Sequence, residues 1–184
     1  RRAIMSLRAT VFETDAGWCA FAWSQDGLRR FALPRPYEAE VVEEIVGSAP
    51  AVALMRGSEA PASWRGLVAD ARRYFGGGGR VDFDAYPVDY LGTGAFARKA
   101  YEVMRSIPWG RVMTYGEVAA GAGNPRAARA AGQACALNPV PLVIPCHRVV
   151  GAGGIGGFGG RLELKRLMLS IEGVTAYGGE GAWR

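Results

Sequence analysis

Residues 114–137 read TYGEVAAGAGNPRAARAAGQACAL, and this stretch decides the fold of the second half of the chain. Thr114 and Glu117 have the spacing of a capping box. In that motif each side chain accepts a hydrogen bond from the other residue's backbone amide at a helix N-terminus. Gly121 lies at the end of the short helix that this pattern predicts.

A second helix is predicted directly after a glycine turn. Asn124 is placed as its N-cap and Pro125 as its first helical residue, because both residue types favour those positions. The alanine-rich run then continues to Leu137. Two short helices joined by a glycine turn predict a helix-turn-helix.

Arg126 and Arg129 are expected on one face of this second helix, among small side chains. Such a helix can approach another surface closely, and its arginines can reach phosphates or bases of DNA. The alternative is an amphipathic helix whose alanines pack on a neighbour and whose arginines are solvated. Residues 92–184 hold 11 Lys+Arg against 5 Asp+Glu, and residues 1–91 hold 11 against 12. This asymmetry favours DNA, with compositional drift as the alternative.

The flanking patterns predict two domains, at residues 1–88 and 92–173. The first is predicted to be α/β, with a small antiparallel sheet and two helices. Its elements are strands Val11–Thr14, Trp18–Ser24 and Gly27–Leu33 and helices Glu38–Val46 and Ser63–Phe75. We place its aromatic residues in the core rather than on a base-stacking surface. The second domain is predicted to be mainly α, with flanking helices Thr93–Ile107 and Leu162–Ile171.

Composition excludes several classes of protein. No run of eighteen apolar residues occurs, so no membrane span is predicted. The N-terminus has no secretory pattern, and a cytoplasmic location is expected. Three separated cysteines do not suggest a disulfide framework, although one pair stays open. With His147 as its single histidine and no Cys-x-x-Cys pair, the chain is expected to bind no metal.

The stretch Ile144–Val150, IPCHRVV, contains the strongest chemical signal. A free thiol is a weak nucleophile at neutral pH until a base or a positive field favours the thiolate. His147 can act as such a base for Cys146. A buried cysteine beside an unrelated histidine is the alternative reading of these two residues alone.

Five ordered motifs together resemble the 6-O-alkylguanine-DNA alkyltransferases, also called methylated-DNA–protein-cysteine methyltransferases. The similarity is close over residues 92–173 and looser before them. It implies a ribonuclease H-like first domain. Residues 174–184, which follow the last predicted helix, are expected to be a mobile tail. The motifs are Ile107-Pro-Trp-Gly110, Thr114-Tyr-Gly116, Asn124-Pro-Arg-Ala-Ala-Arg-Ala130, Asn138-Pro-Val-Pro141 and the stretch Ile144–Val150.

The resemblance implies direct DNA repair, in which the protein flips an alkylated guanine out of the duplex and moves the alkyl group irreversibly to its own cysteine. Cys146 matches the alkyl acceptor. His147 matches the residue that removes the thiol proton through a water, and Glu172 matches the carboxylate that orients this histidine. Asn138 matches the residue that holds the active-site turn. No cofactor is implied.

The resemblance also implies a partner, double-stranded DNA that contains alkylated guanine. Tyr115 matches a residue that hydrogen-bonds the flipped base, and Arg129 matches an arginine that fills the gap in the base stack. Family members insert this helix into the minor groove. We expect a monomer, with Arg126 as a further DNA contact and with 4-O-alkylthymine left open as a substrate.

The chain departs from the family at the pocket loop. Phe158-Gly159 stands where some members carry Tyr-Ser, whose hydroxyl assists binding at the base oxygen. Backbone amides of Phe158, Gly159 and Gly160 are expected to bind the base instead, in a roomier pocket. Some members also bind zinc in the first domain, and this chain lacks those ligands.

Two other functions compete with alkyl transfer. A sensor of alkylated DNA would hold the base without repairing it, but such relatives replace the acceptor, which is Cys146 here. A Cys-His hydrolase would need an oxyanion hole, and the arginine-alanine helix has no role in that reaction.

Overall fold

The computed structural model describes residues 7–47 and 52–174. The expectation that the N-terminus lacks a secretory signal and, apart from Val174, the expected tail at 174–184 therefore lie outside the described residues. The chain divides into two compact units. The first is Arg1–Asp89 with Pro139–Pro141, and the second is Tyr90–Asn138 with Leu142–Arg184.

The first unit is built on a four-stranded sheet with the order β3-β2-β1-β4. β1 and β2 form an antiparallel hairpin that pairs Arg8 with Trp23 and Thr14 with Gly17, and β3 continues the antiparallel pattern. Gly17 closes the first turn at a φ of 123°, a conformation that glycine adopts without strain. The strands are Arg8–Thr14, Gly17–Ser24, Gly27–Arg35 and Ala53–Arg56.

The prediction of an all-antiparallel sheet was wrong at its fourth strand. β4 pairs in parallel with β1, with Arg8 opposite Ala53, so the sheet is mixed. β4 has only four residues and its side chains are largely exposed. Backbone hydrogen bonds to β1, which is distant in sequence, hold this edge strand in place. Its side chains show no alternation of buried and exposed residues, so the sequence did not predict it. The ribonuclease H-like assignment stays a prediction.

Two helices, α1 (Glu38–Val46) and α2 (Ala62–Phe75), complete the first unit. α1 buries Val41 and Ile45 in a cluster with Ala20 and Ala22 of β2. Phe21, which points to the other face of the strand, lies 6.0 Å from the Trp64 ring of α2. The burial of Phe21, Trp23 and Phe31 confirms that these rings belong to the core.

In the residues of the second unit that the structure describes, the chain forms four α-helices and two very short strands. β5 and β6 pair in parallel, with Thr114 opposite Val150, so the start of α4 lies beside the strand that follows the Cys146 segment. The elements are α3 (Ala95–Arg105), β5 (Met113–Thr114), α4 (Tyr115–Gly121), α5 (Ala128–Ala136), β6 (Val149–Val150) and α6 (Leu162–Ile171), with a 3-10 turn at Cys146–Arg148.

The capping box at α4 is confirmed, but the predicted start of α5 was wrong. Asn124 does not cap α5. Its Oδ1 accepts the Arg126 amide at 3.2 Å and its carbonyl accepts the Ala127 amide at 3.0 Å. Asparagine side chains compete in this way for nearby backbone amides, so the turn extends to Ala127 and α5 begins at Ala128.

Two other details differ from the sequence prediction. Val174 was assigned to the tail, yet its side chain is buried and its amide donates to the Leu169 carbonyl at 2.8 Å. It therefore closes α6. Within residues 7–47 and 52–174, no helix combines the length and apolar character that crossing a bilayer requires.

The capping box predicts a measurable contribution to stability. Thr114 Oγ1 accepts the Glu117 amide at 3.2 Å, and Glu117 accepts the Thr114 amide at 2.6 Å. We expect Thr114→Ala to lower the free energy of unfolding by about 1 kcal/mol, because the α4 N-terminus loses one acceptor. Urea denaturation would measure this change. Thr93→Ala is the control, since Gly94 holds the N-cap position of α3, and equal losses in the two variants would contradict the assignment.

Candidate active site

Glu172 lies at the C-terminal end of α6, where its side chain is completely buried. His147 Nε2 lies 2.7 Å from Oε1 of this carboxylate. Arg148 donates from Nε to Oε2 at 2.8 Å and from Nη2 to Oε1 at 3.1 Å. The Gly110 amide adds a longer bond of 3.4 Å to Oε2. The network joins α6 to the 3-10 turn and to the segment that follows α3.

These partners keep the buried carboxylate ionised. Burial alone would raise the pKa of Glu172, but the charge and hydrogen bond of His147, followed by those of Arg148, outweigh it and lower the pKa to about 2. Arg148 also donates from Nη1 to the Ile107 carbonyl at 2.6 Å, which fixes the guanidinium at its other side.

His147 is buried and has the properties of a general base. Burial lowers its pKa, and the charges of Arg148 and Lys165 lower it further against the opposing effect of Glu172. The imidazole is therefore neutral at pH 7. Because an ionised carboxylate can only accept hydrogen bonds, Nε2 carries the proton that faces Glu172. Nδ1 is then the basic nitrogen of the ring.

Cys146 begins the 3-10 turn and is 5% exposed. Burial raises the pKa of its thiol. A hydrogen bond from Asn138, the charge of Lys165 and the backbone amides of Cys146 and His147 oppose this effect. The resting group is therefore a thiol surrounded by groups that favour the thiolate once a base removes the proton.

Asn138 lies two residues after the end of α5 and spans the turn before the nucleophile. Its Nδ2 donates to the Ile144 carbonyl at 2.8 Å. Leu142, inside this turn, has a φ of 78°, which is rare for a residue that carries a branched side chain. The hydrogen bond from Asn138 therefore stabilises a turn that the backbone conformation of Leu142 disfavours.

Tyr115, the first residue of α4, is half-buried beside the glycine loop that precedes α6. The Gly157 amide donates to its Oη at 3.3 Å. Gly156 has a φ of 73°, and a Cβ there would lie 2.7 Å from Tyr115 Oη, so only glycine allows the loop to approach this closely. Burial raises the pKa of Tyr115, which keeps the hydroxyl protonated.

The remaining pocket-loop residues that the sequence singled out lie beside this contact. The half-buried Phe158 ring lies 5.9 Å from Lys165 Nζ. Gly159 and Gly160 are exposed, with φ angles of 57° and 78°.

The structure changes the predicted relation between Arg126 and Arg129. Both side chains are exposed, but Arg126 lies in the turn before α5 and Arg129 lies on the first turn of the helix. The two residues therefore do not share one helical face. The bond from Asn124 Oδ1 to the Arg126 amide accounts for this difference, because it draws Arg126 into the turn.

Two buried side chains of the site were not assigned by sequence reasoning. The sequence analysis gave Arg148 no role beyond its place in the stretch Ile144–Val150. Its position two residues after Cys146 is the signal that could have suggested it as a partner of Glu172. Lys165 is 0% exposed, whereas Leu167 is 42% exposed, although the helical spacing of Leu164, Leu167, Met168 and Ile171 predicts a core position for Leu167. Lysine is rarely buried fully, so helical periodicity selects the leucines instead.

The described part of the chain contains no group of three His, Cys, Asp or Glu side chains that could hold a metal ion. All three cysteines, Cys19, Cys135 and Cys146, are free thiols. Burial raises the pKa of Cys135 to about 12.

Comparison with known proteins finds similarity to DNA alkyltransferases. The family described as 6-O-methylguanine DNA methyltransferase, DNA binding domain, matches residues 95–174. A methylated-DNA–protein-cysteine methyltransferase of Metallosphaera sedula is 42% identical over 111 residues, which cover 60% of this chain and 69% of that protein.

Solved structures show the same similarity over most of the chain. The crystal structure of Mycobacterium tuberculosis O6-methylguanine methyltransferase has a TM-score of 0.70 and 30% identity, and covers 90% of this chain and 92% of that one. A structure described as Mycobacterium tuberculosis OGT in complex with DNA has a TM-score of 0.69 and 27% identity, with the same coverage of both chains.

The Glu172 network predicts a specific loss of stability in acid. The folded pKa of about 2 lies below the ordinary value of 4.5, so the stabilisation is complete above pH 4.5 and is lost as the pH falls through the folded value. We expect Glu172→Gln to remove up to about 3 kcal/mol of this pH dependence. Urea unfolding between pH 6 and pH 2 would measure it.

The control for this experiment is Glu163→Gln, because Glu163 is an exposed carboxylate of the same helix that pairs with Arg166. This variant should retain the steep acid dependence of the parent protein. If the free energy of unfolding falls with pH equally in the parent and in Glu172→Gln, ionisation of Glu172 is not the cause of the acid dependence.

Proposed function

This chain belongs to the family of methylated-DNA–protein-cysteine methyltransferases, and we propose that it transfers the alkyl group of 6-O-alkylguanine in duplex DNA to its own Cys146 in a single turnover. The observation that carries the assignment to Cys146 is the buried thiol beside the network of His147, Glu172 and Arg148.

The first step is removal of the thiol proton. His147 accepts the proton of Cys146 through a water, and Glu172 stabilises the imidazolium that forms. The distance of 2.7 Å between His147 Nε2 and Glu172 Oε1 supports this role, because a hydrogen bond to a charged acceptor becomes stronger when the ring becomes cationic. Arg148 keeps the carboxylate ionised, so Glu172 does not compete for the proton.

The second step is a displacement at the alkyl carbon. The Cys146 sulfur forms a bond to carbon as the bond between carbon and the guanine oxygen breaks. Guanine leaves with the electron pair of that bond and takes up the proton that the thiol lost. The products are an S-alkyl cysteine and unmodified guanine, so the reaction needs no further reactant. A thioether is a stable product, which is why each molecule acts once.

Access to the base requires that it leave the stack. We place α4, the turn at residues 122–127 and α5 as a DNA-binding helix-turn-helix in the minor groove. Tyr115 contacts the extruded base, Arg129 fills the vacated position and Arg126 binds phosphate. Exposure of both arginines and the small side chains of α5 support this arrangement. The protein acts as a monomer.

The alternative, a sensor that holds alkylated DNA, is less well supported. Such a protein has no use for a thiol whose proton can pass to a buried histidine and carboxylate. The thiol of Cys146 and the His147–Glu172 pair are both present.

Alkyl transfer predicts a single modified residue. After reaction with a duplex that contains 6-O-methylguanine, peptide mass spectrometry should find one methyl group per protein on Cys146. Cys135 should stay unmodified, because its pKa of about 12 keeps it a thiol. Cys135→Ser should therefore react fully and Cys146→Ser should not react. Methylation that persists in Cys146→Ser would refute the proposal.

Base extrusion predicts that Arg129 matters only in duplex DNA. We expect Arg129→Ala to slow single-turnover repair of the duplex by about tenfold, equivalent to roughly 1.4 kcal/mol. Reaction with free 6-O-benzylguanine should be unchanged, because the free base needs no extrusion. Arg166→Ala, which removes another exposed arginine, is the control for net charge. Equal losses on both substrates would remove Arg129 from the extrusion step.

A further inference from the structure

Lys165 is a fully buried cation, and the proposed alkyl transfer gives it no role in proton transfer or in binding the base. Its Nζ donates to the Val149 carbonyl at 2.6 Å and to the Gly157 carbonyl at 3.2 Å. The Phe158 ring is its third contact. Within the described part of the chain, no carboxylate forms an ion pair with Lys165. Burying an ammonium without such a partner costs several kcal/mol, so the position calls for a function.

The contacts of Gly157 suggest that function. The carbonyl of this residue accepts from Lys165, and its amide donates to Tyr115 Oη at 3.3 Å. A single glycine of the pocket loop is thus held on one side by α6 and on the other by α4. Because Val149 lies in β6, the same ammonium also ties the loop to the strand that follows Cys146.

The direction of these bonds determines what Tyr115 can offer a base. The Gly157 amide occupies a lone pair of Oη, so the hydroxyl proton is free to point elsewhere. Burial raises the pKa of Tyr115, so the hydroxyl keeps that proton. A hydroxyl that accepts one bond from the loop is preorganised to donate one bond to a ligand, since its rotation is restricted before the ligand arrives.

We propose that Lys165 is a positioning residue for Tyr115, acting through Gly157 to hold the tyrosine hydroxyl as a hydrogen-bond donor to the extruded base. This inference rests on the proposed function, in which Tyr115 contacts that base. The loop carries Phe158 and Gly159, which have no side-chain hydroxyl, so the oriented Tyr115 is the side-chain donor that this part of the pocket supplies.

A double-mutant cycle tests the proposal in the full-length protein. Lys165→Met keeps the length of the side chain and removes the ammonium, and Tyr115→Phe removes the hydroxyl. After correction for thiol reactivity, we expect each single change to slow duplex repair by about tenfold, and Lys165→Met to add less than about twofold to Tyr115→Phe. Lys99→Met is the matched control, because it removes the charge of the exposed lysine on α3.

The ammonium also favours the Cys146 thiolate, so thiol reactivity must be measured separately. Each repair rate is divided by the rate of Cys146 alkylation by iodoacetamide at the same pH. After this division, Lys165→Met should still slow repair when residue 115 is tyrosine. It should have no further effect on repair when residue 115 is phenylalanine. A normalised loss of zero, or an undiminished loss in Tyr115→Phe, would overturn the positioning role.

Hydrogen exchange provides a test that does not depend on a Lys165 variant. In protein labelled with 15N-glycine, the Gly157 amide should exchange slowly and should exchange faster in Tyr115→Phe, which lacks its acceptor. Unchanged exchange would overturn the inference even if Lys165→Met failed to fold. If Tyr115→Phe repairs duplex DNA at the parent rate, the base contact that the proposed function gives to Tyr115 fails as well. If Tyr115→Phe repairs slowly but the positioning test fails, only the role of Lys165 is overturned.

Discussion

The buried carboxylate of Glu172 is the constraint on which the second unit depends, because an ionised group without water must find all its partners within the protein. His147, Arg148 and the Gly110 amide supply them. Arg148 extends the network to the Ile107 carbonyl. One charge therefore joins α6, the 3-10 turn and the segment that follows α3. Losing a partner would leave the buried charge less well compensated, so the geometry around the nucleophile is held by an energetic penalty.

Burial gives this site two properties that oppose each other. It raises the pKa of Cys146 and so protects the thiol from reaction while no substrate is bound. It also lowers the pKa of His147 and leaves the imidazole neutral, which is the form that accepts a proton. Under the proposed single turnover both effects are useful, because a thiolate exposed at rest would be lost to other electrophiles. The hydrogen bonds around the sulfur become useful when the proton leaves.

Hydrogen bonds to backbone groups connect Tyr115 with the segment of Cys146 in this unit. The parallel pair of β5 and β6 places Thr114 opposite Val150, so Tyr115 begins α4 beside the segment of Cys146. Gly156 then approaches the tyrosine more closely than a residue with a side chain could, and the Gly157 amide donates to the tyrosine hydroxyl. Lys165 satisfies the carbonyls of Val149 and Gly157 from within α6. Rigid backbone of this kind holds a hydroxyl more accurately than a flexible side chain would.

The sequence by itself determined the features that arise from neighbouring residues. The capping box at Thr114, the bounds of α1 and α6 and the adjacency of Cys146 and His147 depend on spacings of a few residues, and the ordered motifs were enough to identify the family. Tertiary structure decided the rest. β4 exists through pairing with a distant strand, α5 begins late because Asn124 forms a turn, and the burial of Lys165 contradicts the helical pattern. Arg148, the side-chain partner of Glu172 that the sequence did not assign, lies 24 residues away in the chain. Such contacts leave no periodic signal, because the energy that fixes them comes from desolvation and hydrogen bonding between distant segments.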